Sequence, residues 1–143
     1  MSTPDKADLS VTKEIAAPPR KVYDAWLDPT VARKFLFATE TGAIVRAEID
    51  PRVGGRFTMT DRRNGEDFEH VGEYVELDPP RRLVFDFWLP KFSDQRTRIE
   101  VGIASRGSGS VVTLTHRDVP PDHREKARGG WTTILGALAG AVA

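Results

Sequence analysis

Six short segments that alternate apolar and polar residues follow one another between positions 43 and 116, with only turn residues between them. Alternation with a period of two predicts strands with one buried face. Because the connections are too short to hold crossover helices, consecutive strands must pair antiparallel. The segments are Ala43 to Ile49, Arg56 to Thr60, Phe68 to Leu77, Leu83 to Leu89, Arg98 to Ala104 and Val111 to His116.

The segments on either side complete the pattern. Leu9, Val11 and Ile15 predict an additional first strand, and two short helical stretches follow it, the second with Asp28-Pro29 at its start. After Pro120-Pro121 the apolar period changes to 3.6, which predicts a long amphipathic helix. Each glycine of the Gly129-Gly130 pair costs roughly 1 kcal/mol relative to alanine, so we place the main helix from Gly130 onward.

This order of elements predicts an α+β fold, in which the helices lie on one face of a seven-stranded antiparallel sheet. The length of 143 residues is that of one domain, so we expect a single domain over residues 1–143 with a flexible N-terminus over residues 1–7. The turn signals at Val53-Gly54-Gly55 and Asn64-Gly65 predict tight hairpins.

Composition excludes several classes of function. The 21 basic residues balance the 21 acidic ones, so we expect neither nucleic acid nor a membrane as partner. The sequence contains no cysteine and three dispersed histidines, so we expect no metal and no cofactor. The first residues carry no apolar signal segment, and we expect a cytoplasmic protein. Nucleophile, phosphate-loop and dinucleotide motifs are also missing from the sequence.

Three stretches resemble the family of homologues of the activator of the heat-shock-protein-90 ATPase, in the START-like (SRPBCC) superfamily. They are IAAPPRKVYDAW at residues 15–26, DPRVGGRF at residues 50–57 and GEYVELDPPRRL at residues 72–83. The resemblance continues through residues 113–116 and residues 130–138 and covers essentially the whole chain. It implies the helix-grip fold of the birch-pollen allergen, with a curved sheet around the long helix and a hydrophobic cavity between them.

The strand from Phe68 to Leu77 can present either of two faces to that interior. Turning Val71 and Val75 inward would also bury the Glu73 carboxylate, which is prohibitive if it is unpaired. We therefore predict that His70, Gly72 and Tyr74 face inward, with open space at Gly72. The candidate ligand-binding residues are the apolar and aromatic interior positions and the polar groups beside them: Phe35, Phe37, Val45, Phe57, Met59, His70, Tyr74, Phe85, Phe87, His116, Trp131, Leu135 and Leu138.

Three functions remain open at this point. The first is binding of a small hydrophobic or amphipathic ligand, such as a lipid, polyketide or flavonoid-like molecule, without catalysis. The second is a cyclase or hydrolase that uses His70, Tyr74 or His116 as acid or base. The third is a protein-interaction module, because the resemblance implies a chaperone partner. Activators that stimulate the chaperone carry an additional N-terminal domain, so we expect no stimulation by this chain alone, which we expect to be a monomer or weak homodimer.

Overall fold

Seven strands, two short helices and one long helix make up the computed structural model, which describes residues 7–38 and 42–142. The N-terminus predicted to be flexible, residues 1–7, lies outside the described residues except for Ala7, which begins the first strand. In chain order the elements are β1 (Ala7–Ile15), α1 (Pro19–Leu27), α2 (Pro29–Ala32), β2 (Ala43–Ile49), β3 (Arg56–Arg63), β4 (Glu66–Asp78), β5 (Arg82–Trp88), β6 (Thr97–Arg106), β7 (Gly109–Val119), a 3-10 turn (Pro121–His123) and α3 (Arg124–Val142).

The strands form one antiparallel sheet in the order β1-β7-β6-β5-β4-β3-β2. Strands β2 to β7 follow one another as a meander, and β1 closes the far edge by pairing with β7. Asn64 and Gly65 join β3 to β4, and both adopt positive φ angles of 54° and 76°. This is the backbone that a two-residue turn needs to match the twist of its strands, so the predicted hairpin is confirmed.

The C-terminal helix lays its apolar stripe on the inner face of the sheet, and the predicted α+β helix-grip fold is confirmed. Its predicted start at Gly130 is wrong, because the helix is continuous from Arg124 through both glycines. A β-carbon added at Gly129 or Gly130 would meet nothing within 4 Å, so neither glycine marks a close approach. The helix continues through them because Trp131 and the stripe behind it are buried against the sheet.

The prediction that His70, Gly72 and Tyr74 face the interior from β4 is confirmed. Tyr74 is buried, and Glu73 faces outward, where its carboxylate accepts hydrogen bonds from Arg56 Nε at 3.3 Å and Arg96 Nη1 at 3.4 Å. The open space expected at Gly72 is filled by the neighbouring ring of Phe57: a β-carbon at Gly72 would lie 1.9 Å from Phe57 Cε2. Glycine is therefore required here to make room for an aromatic ring rather than for a ligand.

Val45 is the one candidate site residue that the strands turn away from the interior. The register of β2 against β3 shifts between Ile44 and Arg46, and Val45 is 42% exposed while Ile44 packs on the core. A β-bulge breaks the alternation at this point, which is why simple alternation wrongly placed Val45 inside. None of the helices in the described ranges is long and apolar enough to cross a membrane.

Candidate functional site

An aromatic cluster fills the space between α3 and the sheet. The Phe37 ring lies at its centre, with ring centroids 4.2 Å from His70, 5.2 Å from Phe87, 5.7 Å from Trp131 and 6.3 Å from Phe57. Phe37 follows the short helix α2 and has a φ of 59°, a left-handed backbone that a phenylalanine rarely adopts. The fold therefore brings these predicted residues together, but their rings pack against one another instead of surrounding an open cavity.

Other predicted residues lie deeper in the core. Phe35 packs edge-on against Trp26 at 5.1 Å, and Phe85 packs edge-on against Phe57 at 5.2 Å. Side chains of this group are completely or almost completely buried: Phe35, Met59, Phe85, Leu135 and Leu138. Their burial indicates packing of the domain rather than a surface that a ligand can reach.

His116 connects the long helix to the edge of the cluster. The indole Nε1–H of Trp131 donates to His116 Nδ1 at 3.0 Å, and His116 Nε2 lies 2.8 Å from Thr97 Oγ1. An indole nitrogen can only donate, so Nδ1 is unprotonated and the neutral ring carries its proton on Nε2, which donates to Thr97. Burial lowers the pKa of His116 to about 4, in agreement with this neutral form. Both ring nitrogens are therefore occupied, and His116 has no free nitrogen to act as a base.

His70 is also held in a neutral form. Its ring stacks on Phe37, and Nδ1 lies 3.3 Å from the carbonyl oxygen of Met59, which can only accept. Burial lowers the pKa of His70 as well, although backbone hydrogen bonds oppose the shift. The two histidines of the interior thus serve as uncharged aromatic groups at physiological pH.

Tyr74 and Tyr23 carry buried hydroxyl groups that find no hydrogen-bond partner within the described part of the chain. Burial raises the pKa of both phenols, so neither ionises near neutral pH. Sequence reasoning selected Tyr74 but missed Tyr23, whose place on the inner face of α1 follows from the apolar spacing of Val22 and Trp26.

Asp61 is a buried carboxylate that sequence reasoning missed. It lies on β3, and its side chain forms an ion pair with Arg63, with Nε and Oδ2 separated by 2.8 Å. Phe57, Met59 and Asp61 alternate on the inward face of β3, so extending the alternation by one step would have found it. The burial of Asp61 shows that β3 continues its inward face to this point.

An open groove borders the aromatic cluster. It has a volume of about 1340 Å³ and lies between the β5–β6 connection, the start of β6, the end of β7 and the first turns of α3. Thr97 and His116 reach it from the sheet. Five of its lining residues are apolar, and the others are polar or charged; the apolar ones are Leu89, Phe92, Val119, Pro120 and Ala127.

Phe92 is the most exposed large apolar side chain of this region, at 67% of its surface. It stacks on Phe68 with ring centroids 6.2 Å apart, so the connection between β5 and β6 is anchored on β4. Sequence patterning did not predict this groove, because residues 89–96 lack the alternation that identified the strands. In the part of the chain that the structure describes, no three histidine or acidic side chains are grouped so that they could hold a metal ion.

The model of the family described as "Activator of Hsp90 ATPase homolog 1-like protein" matches residues 16–143. The chain belongs to this family. Its membership and fold agree with the SRPBCC, birch-pollen-allergen-like superfamily that the sequence motifs predicted. A search of curated proteins finds no significant match to the chain.

Several solved structures of bacterial proteins share this fold. A protein from Chromobacterium violaceum is 26% identical, with a TM-score of 0.85, and the match covers 95% of this chain and 96% of that one. An AHSA1-like protein from Aeromonas hydrophila is 25% identical, with a TM-score of 0.80, and the match covers 94% and 91%. A protein from Nitrosomonas europaea, at 20% identity and a TM-score of 0.82, shares the fold over 99% of this chain and 97% of its own.

Proposed function

We propose that the protein binds a small amphipathic molecule in the groove beside the aromatic cluster, without catalysing a reaction on it. The single observation that carries this proposal is the groove itself, with apolar side chains from three elements and the Thr97–His116 pair on one side. Ligand sites in proteins combine apolar side chains with fixed polar groups, and this groove offers both to an amphipathic molecule. The groove is larger than a typical pocket, so an apolar body of two or three fused rings fits inside it.

The aromatic cluster determines where the ligand lies. The family resemblance implied a cavity between the sheet and the long helix, but the rings of Phe37 and Phe87 lie next to the Trp131 indole. A ligand that stays in the groove displaces no buried ring and therefore avoids the cost of disrupting a close-packed interior. Its apolar body contacts Phe92 and Leu89, and its inner end approaches His116.

The hydrogen bonds of His116 favour binding over acid–base catalysis. A general base needs an available lone pair within reach of the proton that it removes. The Nδ1 lone pair accepts the Trp131 indole proton, and Nε2 carries the proton donated to Thr97. The cyclase or hydrolase alternative has no comparable support from the geometry of this groove.

A titration with flavone, followed by the amide and indole N–H resonances of labelled protein, tests the proposal. We expect a micromolar dissociation constant, about −8 kcal/mol, and shifts at residues 89–97 and 116–127 and at the Trp131 indole. Phe92→Ala should weaken binding about five- to tenfold through the loss of apolar contact. Val53→Ala, at an equally exposed apolar residue in the β2–β3 connection, is the matched control and should leave the affinity unchanged. Shifts confined to residues outside the groove would contradict the proposal.

A further inference from the structure

The two hydrogen bonds that join Trp131, His116 and Thr97 run in one direction, from the indole to the hydroxyl. The Trp131 N–H donates to His116, so the proton of the neutral imidazole lies on Nε2 and is donated to Thr97 Oγ1. The Thr97 hydroxyl thus uses a lone pair to accept from His116 and keeps its own proton for another partner. In such a chain each donor polarises the next, which makes the terminal hydroxyl a better donor than an isolated one.

Thr97 occupies a position from which that proton can reach a ligand. It is the first residue of β6, it is half-buried, and it lines the groove. Among the described residues its hydroxyl has one side-chain hydrogen bond, the one to His116. The polar contact that the groove offers at this point is therefore a fixed donor, and its natural partner is an acceptor oxygen.

The charges around the groove indicate whether that acceptor carries a charge. Arg98 donates two hydrogen bonds to Asp86, at 2.8 and 3.2 Å, and Arg117 bonds Glu100 and Asp8. These pairs leave the rim nearly neutral. Together the lining side chains carry four positive and four negative charges: Arg96, Arg98, Arg117 and Lys126 against Asp8, Asp86, Glu100 and Asp118. The rim therefore attracts neither anions nor cations, and a neutral ligand fits it best.

We propose that the groove selects neutral apolar molecules with a carbonyl oxygen, which accepts a hydrogen bond from the Thr97 hydroxyl at the end of the Trp131–His116–Thr97 chain. This inference rests on the proposed binding function and names the class of ligand. Thr97 sets the specificity, while His116 and Trp131 position its hydroxyl and fix the direction of the donated proton.

Two probes of nearly equal size and shape test the selection. 2-Acetylnaphthalene carries a carbonyl oxygen where 2-ethylnaphthalene carries a methylene group. We expect the ketone to bind about five- to tenfold more tightly, as measured by titration of amide shifts, because one hydrogen bond of ordinary strength is gained. The anionic probe 2-naphthoate should bind no more tightly than the ketone. Tenfold tighter binding of 2-naphthoate would overturn the selection of a neutral ligand.

Variants at position 97 identify the donor. Thr97→Val keeps the shape of the side chain without its hydroxyl, so the two probes should bind this variant with about equal affinity. Thr97→Ser retains the hydroxyl and should retain the preference, which distinguishes loss of the donor from a general disturbance of β6. Thr113→Val makes the same substitution at an exposed position on β7 outside the groove and should have no effect.

The outcomes separate this inference from the proposed function. If both probes bind in the groove with equal affinity, or if Thr97→Val keeps the full preference, the carbonyl inference is wrong while the binding function stands. If neither probe nor flavone shifts any groove resonance, both are wrong. A preference for the ketone that disappears in Thr97→Val and persists in Thr97→Ser supports the inference.

Discussion

Gly72 and Phe57 form a contact whose strength can be tested directly. An added β-carbon at Gly72 would lie 1.9, 2.2 and 2.7 Å from three atoms of the Phe57 ring, well inside van der Waals contact. The ring cannot move freely, because it packs against Phe37, Tyr74 and Phe85 at centroid distances of 6.3, 5.7 and 5.2 Å. We therefore expect Gly72→Ala to cost about 2–3 kcal/mol, at the upper end of the usual cost of overpacking.

Urea denaturation and thermal denaturation, both followed by circular dichroism, measure this loss as a change in the free energy of unfolding and in Tm. For a chain of this length, 1 kcal/mol corresponds to a shift of about 3 °C in Tm, so Gly72→Ala should lower Tm by about 6–9 °C. Gly129→Ala provides the matched control, because the same substitution at an exposed helical position meets nothing within 4 Å. It should raise the free energy of unfolding by up to about 1 kcal/mol through helix propensity.

A second substitution tests the cause. Phe57→Leu removes the ring, so adding Gly72→Ala to Phe57→Leu should cost less than about 1 kcal/mol, and the two changes should be non-additive. If Gly72→Ala is as stable as the parent, or if its cost is the same with leucine at position 57, then the ring does not occupy the space above Gly72 and the reasoning is refuted.

Three further predictions concern charge and exposure. Arginine neighbours, Arg117 foremost, lower the pKa of Glu100 to about 2, so Glu100→Gln should reduce the free energy of unfolding at pH 7 by roughly 2 kcal/mol after allowance for solvent screening. That difference should shrink as the pH falls from 4.5 towards 2, and Glu14→Gln, at an exposed ion pair, should cost under about 0.5 kcal/mol. Because the pKa of His116 is lowered to about 4 in the folded protein, the unfolded chain binds a proton at this residue at higher pH than the folded one does. The free energy of unfolding of the parent should therefore fall by up to about 3 kcal/mol between pH 6.5 and pH 4. Denaturation curves of His116→Gln should show a weaker dependence of this free energy on pH. Phe92→Ala should leave Tm within about 2 °C of the parent because its ring is mostly exposed, and a larger loss would show that the ring supports the fold.

Sequence alternation was sufficient to predict the sheet and the inward face of β4. The argument against burying Glu73 correctly placed Tyr74 and His70, because desolvation of a carboxylate outweighs the apolar gain from two valines. Local periodicity failed at Val45, where a bulge adds a residue to one strand and reverses the side-chain direction. Helix propensity failed at Gly130, because burial of the apolar residues from Trp131 onward outweighs the propensity cost of the two glycines.

The candidate site was less accessible to such reasoning, because it depends on contacts between distant segments. Thr97 and Trp131 meet at His116 only in the folded chain, and neither spacing nor residue type predicts the direction of their hydrogen bonds. The groove wall at Phe92 belongs to an irregular connection with no periodic pattern. The identity of the aromatic residues was predictable, but whether their rings leave a cavity depends on packing in three dimensions.

The pairing of β1 with β7 imposes an order on folding during synthesis. Ser10 and Thr115, whose hydroxyl oxygens lie 3.1 Å apart, are separated by 105 positions, whereas β2 to β7 pair with their nearest neighbours along the chain. As the chain leaves the ribosome, each hairpin of the meander can close soon after its second strand emerges. Strand β1 cannot pair until β7 has been synthesised, and α3 is synthesised after β7. The nascent sheet therefore has an unpaired edge and an uncovered apolar face until nearly all of the described chain has been made. The nascent domain therefore most needs protection from aggregation until β7 and α3 have been synthesised.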